Sequence, residues 1–126
     1  MIAGVGIDMI EVERVAEKIG KNIGFRELVF SASEIAYCET KANKYEHYAA
    51  RFAAKEAFLK AAGTGWMNEL NFFEIEIAND ENGKPSLQLK GDTLKAFEKN
   101  KIARVSVSLS HLKSIASAIV IIETDQ

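Results

Sequence analysis

Apolar and polar positions alternate from Ile2 to Met9, placing Val5, Ile7 and Met9 on one face of a predicted strand and Gly4, Gly6 and Asp8 on the other. The glycine face carries almost no side chain, so another element can approach it closely, and Asp8 is its one functional group. The period then lengthens. Glu11 to about Lys21 reads as a helix with acidic residues early and lysines late, as the macrodipole prefers. Ser31 followed by Glu34 fits a capping box opening a second helix that runs to about Lys41. A longer helix spans roughly Asn43 to Ala62 and stops at Gly63-Thr64-Gly65, with Gly63 expected in the αL conformation.

The second half reads mostly as strands. Phe73, Ile75 and Ile77 alternate with Glu74 and Glu76, which predicts one dry and one wet face. Asp80 to Pro85 forms a turn, and Ser86 to Leu89 returns as a short strand. A short amphipathic helix is expected from Gly91 to Lys101, followed by Val105, Val107 and Leu109 alternating with Ser106, Ser108 and Ser110. Ile115 to Ile122 is apolar on both faces, so that strand should be central or covered by a partner subunit. The expected fold class is α+β, a mainly antiparallel sheet packed by helices, the longest of them central.

The chain of 126 residues, 48% hydrophobic and 27% charged, suits one soluble domain covering residues 1–126. A formal net charge of -2 argues against a nucleic-acid binder. No apolar run reaches membrane-span length, and the apolar start meets Asp8 too early for a signal peptide, so a cytoplasmic location is expected. The single cysteine, Cys38, cannot close an internal disulfide and reads as a structural thiol in a reducing compartment.

Candidate chemistry concentrates on the long helix. Tyr45, Tyr48, Ala49, Phe52 and Leu59 share one face, and Glu56 lands within that stripe with Lys60 one turn on. A carboxylate directed at an apolar face must be paired, hydrogen-bonded or bound to metal. An internal Glu56–Lys60 ion pair is one reading; a shared site with Asp8 is the other. Two carboxylates that meet need a cation between them, and Mg²⁺ takes one or two carboxylates while leaving room for water and phosphate. His111 ends a strand, and His47 reads as a surface histidine. With Cys38 the two histidines match no zinc spacing. No nucleophile elbow, Walker A loop or dinucleotide fingerprint is present. Arg14, Lys18 and Lys21 recur at helical spacing as a basic stripe.

Gly6-Ile7-Asp8 with Glu11 and Arg14 resembles the opening motif of the bacterial holo-acyl-carrier-protein synthases, the short class of phosphopantetheinyl transferases. Arg51-Phe52-Ala53-Ala54-Lys55-Glu56-Ala57-Phe58-Leu59-Lys60-Ala61, running into Gly63-Thr64-Gly65, is similar to their central signature. Phe30-Ser31 with Glu34 and Tyr37-Cys38, Gly83-Lys84-Pro85, and Ser108-Leu109-Ser110-His111 resemble further family segments, so the likeness covers nearly the whole chain. Trp66 and Leu112-Lys113 depart from the usual pattern. Ile10 stands where larger relatives have another acidic ligand, which implies a metal shell richer in water.

The resemblance implies transfer of 4'-phosphopantetheine from coenzyme A to a serine of apo-acyl carrier protein, releasing adenosine 3',5'-bisphosphate in support of fatty acid biosynthesis. It assigns Mg²⁺ to Asp8 and Glu56, the leaving phosphate to Lys60, and the serine proton to Glu56, directly or through a metal-bound water. It assigns coenzyme A contacts to Arg51, Lys60, Gly63, Thr64, Gly83, Lys84, Pro85, Ser110 and His111, with Arg51 and His111 toward phosphate. Arg14, Lys18, Lys21 and Arg26 would dock the acidic carrier protein. It also implies a homotrimer with sites between subunits, where Ser110 and His111 serve a neighbour's Asp8 and Glu56. The rival readings are a Mg²⁺-dependent hydrolase of a nucleotide pyrophosphate and a non-catalytic coenzyme A-binding module.

Overall fold

The computed structural model describes residues 1–63, 70–99 and 101–125; Thr64, Gly65 and Trp66 lie outside the described residues. Strand β1 (Ile2–Glu11) leads directly into helix α1 (Val12–Lys21), followed by α2 (Phe25–Val29), α3 (Ala32–Glu39) and the long α4 (Lys44–Ala62). A 3₁₀ turn at Phe72–Glu74 opens a hairpin of β2 (Ile75–Asn79) and β3 (Pro85–Leu89). Helix α5 (Gly91–Glu98), β4 (Ile102–His111) and β5 (Ile115–Thr124) complete the order. The expected α+β architecture is present. An antiparallel sheet ordered β1-β5-β4 and the separate β2-β3 hairpin both pack on α4.

Helix α4 is buried on nearly every side. Every residue from Tyr48 to Lys55 is buried, not only the face through Tyr48, Ala49 and Phe52. Ala53, Ala54, Ala57 and Phe58 join Ile75, Ile77, Leu87, Phe97, Val120 and Ile122 in one core cluster. Tyr48, Ala49, Ala50 and Phe52 join Val12, Val15, Val29, Phe30 and Cys38 in another. Alanines let the surrounding backbones come near, and α4 links the two clusters as a single axle. Cys38 is fully buried, and desolvation pushes its thiol up to about 11, in keeping with a structural role.

The glycine face of β1 lies directly on α4. A Cβ at Gly4 would collide with the Ala61 carbonyl, and one at Gly6 with the Ala57 carbonyl and the Ala61 nitrogen. The opposite face is open: Val5, Ile7 and Met9 are 56%, 62% and 64% exposed. Central β5 repeats this division, with Ala116, Ala118, Val120 and Ile122 buried and Ile115 and Ile119 each 38% exposed. The register sets Ile7 beside Ile119 and Val5 beside Ile121, so the outer face of β1 and β5 carries an apolar patch. On β4 the serines at 106, 108 and 110 are exposed, while Val105, Val107 and Leu109 turn inward against the core.

Local details differ from the periodicity. The second-half strand begins at Ile75 rather than Phe73, because Phe72–Glu74 curls to satisfy other partners. The Phe72 carbonyl accepts from Lys55 at 2.8 Å, and the Glu74 carboxylate accepts from Asn71, Thr93 and the Asp92 N–H at the start of α5. Helix α2, with only five residues, is too short to print a period on the sequence. Gly63 has a positive φ of 89°, but its ψ of 170° is not αL; its N–H still closes α4 on the Leu59 carbonyl at 3.0 Å. The capping box at Ser31 and Glu34 forms as expected.

Candidate active site

The close approach of β1 to α4 sets Asp8 against the last two turns of the helix. Lys60 Nζ donates to Asp8 Oδ1 at 3.0 Å and to the Ile7 carbonyl at 3.0 Å. Of the two readings open to Glu56, the internal ion pair with Lys60 does not form, and Lys60 instead pairs across from helix to strand with Asp8. Glu56 is half-buried, and among the described residues it receives no hydrogen bond and forms no ion pair. Desolvation raises the Glu56 carboxyl above the ordinary range; the charge of Asp8 adds to the rise, while Lys60 and Lys18 oppose it. This is a carboxylate made more basic by its setting, beside a second carboxylate and a half-exposed ammonium.

A second cluster lies on another flank of α4. Tyr37, His47, Arg51, Asn79, Gly83, Pro85 and His111 line a cavity of about 210 Å³. Arg51 is 2% exposed, stacks on the Tyr37 ring at 4.3 Å and donates to Asn79 Oδ1 at 2.6 Å. Its Nε has no hydrogen-bond partner, and no carboxylate pairs with it among the described residues. A buried guanidinium without a counter-charge is poised for an anion. His111 Nδ1 lies 2.9 Å from Glu46 Oε1, and the His111 ring meets His47 at 5.2 Å. Desolvation and the neighbouring His111 and Arg51 charges lower the His47 pKa. His47 is thus a cavity residue on α4 rather than a surface histidine in a turn.

The cavity gathers Arg51, Gly83, Pro85 and His111, while Lys84 and Ser110 do not line it. Lys84 is exposed in the turn, where its N–H bonds Asp80 Oδ1 at 2.9 Å; Ser110 is exposed beside Ser117. Thr64 lies outside the described residues. Tyr37, His47 and Asn79 were missed because they come from three separate elements, and only the fold brings them together. Arg14, Lys18 and Lys21 line one shallow depression on α1. Arg26 turns away to Glu27 and Glu39, at 2.9 and 3.2 Å.

The sequence profile of the 4'-phosphopantetheinyl transferase superfamily matches residues 4–118. The chain belongs to the 4'-phosphopantetheinyl transferase superfamily. It is 47% identical, over 96% of its own length and 97% of the other's, to the holo-(acyl-carrier-protein) synthase of Cytophaga hutchinsonii. Among solved structures, the holo-(acyl-carrier-protein) synthase of Neisseria meningitidis superposes with a TM-score of 0.89 at 32% identity, covering 98% of this chain and all (100%) of that one. A Bacillus anthracis holo-(acyl-carrier-protein) synthase in complex with coenzyme A (3',5'-ADP) superposes with a TM-score of 0.81 at 36% identity, covering 99% of each chain. Helix α4 contributes to both clusters, Glu56 and Lys60 to the one completed by Asp8 of β1 and His47 and Arg51 to the cavity. Arg51 and Lys60 are nine positions apart, roughly 13 Å along the axis, and about 180° apart around it.

Proposed function

We propose that this phosphopantetheinyl transferase moves 4'-phosphopantetheine from coenzyme A to a serine hydroxyl of apo-acyl carrier protein, releasing adenosine 3',5'-bisphosphate. The observation that carries this reading is Glu56, a basic carboxylate with no hydrogen bond or ion pair among the described residues, beside Asp8 and Lys60, on the helix that also presents the buried Arg51, whose Nε has no partner there. A hard divalent cation such as Mg²⁺ fits this oxygen pair. Asp8 and Glu56 are partly buried carboxylates that repel one another, and no third His, Cys, Asp or Glu completes a cage among the described residues. Bound there, the cation would neutralise pyrophosphate charge.

The chain's own residues supply the rest. The serine oxygen attacks the β-phosphorus, and the bond from that phosphorus to the bridging oxygen breaks. Glu56, made basic by burial and by Asp8, takes the serine proton. Lys60 Nζ offers positive charge to the departing phosphate oxygens. The Arg51 and His111 cavity holds the adenosine bisphosphate end, with Gly83 and Pro85 forming its rim. Gly63, Lys84 and Ser110 remain proposed coenzyme A contacts.

The cavity and the carboxylates occupy opposed flanks of α4, which favours a ligand spanning two subunits. The exposed apolar face through Val5, Ile7, Met9, Ile115 and Ile119 is where subunits would meet. We read the assembly as a homotrimer. Sedimentation equilibrium should return three times the mass of 13.9 kDa, and a monomer would exclude a shared site. The cytoplasm is the proposed location, in keeping with the single free, buried Cys38 thiol.

The depression lined by Arg14, Lys18 and Lys21, with Glu17 among them 3.8 Å from Lys21, carries a basic excess that fits an acidic helix of the carrier protein, with Lys18 close enough to Glu56 to influence its charge. Arg26, tied to its own carboxylates, contributes at the margin. Arg14→Glu should raise the KM for carrier protein about 10-fold or more at low salt, while coenzyme A binding is unchanged. Equal loss of both would contradict the docking role. The reading as a whole is tested by incubating the protein with apo-acyl carrier protein, coenzyme A and Mg²⁺. A carrier mass increased by one phosphopantetheine, abolished by EDTA, supports it. Coenzyme A cleaved with the carrier unchanged would indicate a hydrolase, and coenzyme A bound but intact a binding module.

A further inference from the structure

Outside the proposed site, one fully buried ion pair is found among the described residues. The side chains of Lys55 and Glu34 are both 0% exposed and meet at 2.8 Å. Lys55 Nζ also donates to the Phe72 and Ile75 carbonyls, so its three protons have three acceptors. Glu34 Oε1 accepts in addition from the Ser31 N–H at 2.9 Å, and Glu34 Oε2 accepts from the Ile77 N–H at 2.9 Å. One ammonium and one carboxylate thus join α4, the first turn of α3, the 3₁₀ turn and the start of β2.

A pair of this kind is a weak source of stability, since its desolvation cancels most of its attraction and an apolar pair of similar size often serves as well. Its distinctive property is direction. Apolar packing lets a helix slide or turn slightly, whereas these bonds fix α4 in rotation and height against β2. Lys55 is adjacent in sequence to Glu56. It lies one turn from Arg51, which makes its own tie to β2 through Asn79 at 2.6 Å. The same hairpin carries Gly83 and Pro85 to the cavity rim.

We propose that Lys55 and Glu34 are a positioning pair that holds the Glu56 carboxylate in register with the nucleotide cavity for phosphoryl transfer. This rests on the transferase reading above. The pair touches no substrate; it acts through the placement of α4. Loss of the pair leaves the Arg51–Asn79 tie and the Arg51–Tyr37 stack in place. Nucleotide binding should therefore survive while the chemical step loses alignment.

The test compares Glu34→Gln, Lys55→Met and the double variant with the parent, each well below its own Tm. Three quantities are read: kcat for carrier modification, Kd for adenosine 3',5'-bisphosphate, and Tm. Each single variant should melt lower, because it leaves one buried charge or its partner unmatched. The double variant should regain most of the Tm, yet its kcat should remain about 10- to 100-fold below the parent, with Kd changed less than about 3-fold. Recovery of kcat in step with Tm would overturn the proposal and leave the pair a structural one. If the double variant does not fold, Glu34→Gln at low temperature decides: kcat lost with Kd retained supports positioning, and any other combination refutes it. A parent that binds the nucleotide but never modifies the carrier defeats the transferase reading instead, so the two failures are distinguishable.

Discussion

Glu56→Gln is expected to lower carrier modification by roughly 10²- to 10⁴-fold, the range for loss of a positioned acid–base group, and yet to make the protein melt slightly higher. Glutamine has nearly the same shape and cannot take a proton or carry the charge a divalent cation requires. The stability effect follows from the raised Glu56 carboxyl, which desolvation and then Asp8 push upward. A group raised in the folded state favours folding while protonated, below its ordinary value, and loses that contribution as pH climbs through the raised one. Glutamine imitates the protonated form at every pH. The melting temperatures of variant and parent should coincide in acid and separate above the ordinary carboxylate range, with the variant ahead by about 1–3 °C at neutral pH in EDTA. Thermal melts across pH, run beside the transfer assay, check both parts. A variant that melts lower at neutral pH would show Glu56 to be a structural carboxylate.

Gly6→Ala should damage the fold and the site together. Its Cβ would fall on the Ala57 carbonyl and the Ala61 nitrogen, which belong to helix backbone and cannot rotate aside. Strand and helix must part by enough to admit a methyl group, at a cost of about 3 kcal/mol, the upper end for an overpacked core. The same separation moves Asp8 away from Lys60, whose ion pair and bond to the Ile7 carbonyl cross this seam. A large fall in denaturation midpoint accompanied by loss of transfer is expected. Gly20→Ala is the control, since nothing lies within 4 Å of a Cβ there and its helix should gain if anything. A Gly6→Ala protein as stable and active as the parent would mean that the seam tolerates separation.

Much of this was legible in the chain because short-range patterns recorded it. The glycine alternation at 4 and 6 announced a face without side chains, and that face is where α4 lies. The apolar run at Ile115 to Ile122 announced a strand either central or covered by a partner subunit, and β5 is central. Ser31 and Glu34 announced a cap. What the sequence could not announce was the second use of Glu34, whose other partners lie 21 and 43 residues away. A lysine within Ala53-Ala54-Lys55-Glu56-Ala57-Phe58 was a hint of burial, since a solvated helix face seldom sets one charge pair among so many small apolar residues. The partner of Lys60 was hidden in the same way. Helical spacing suggested Glu56 as its partner, but the close seam with β1 offered Asp8 instead. The cavity beside Arg51 was half legible. Arg51, the Gly83–Pro85 turn and His111 came from their motifs, whereas Tyr37, His47 and Asn79 join only when α3, α4 and β2 pack.

Transfer of a phosphopantetheine group is distinguished from mere binding or hydrolysis of its donor by following both products in one reaction of the purified protein with apo-acyl carrier protein, coenzyme A and Mg²⁺. Adenosine 3',5'-bisphosphate and modified carrier should appear in equal amounts at every time point, and both should stop when the carrier serine is replaced by alanine. Bisphosphate released without modified carrier, or continuing with the serine-free carrier, would contradict the account.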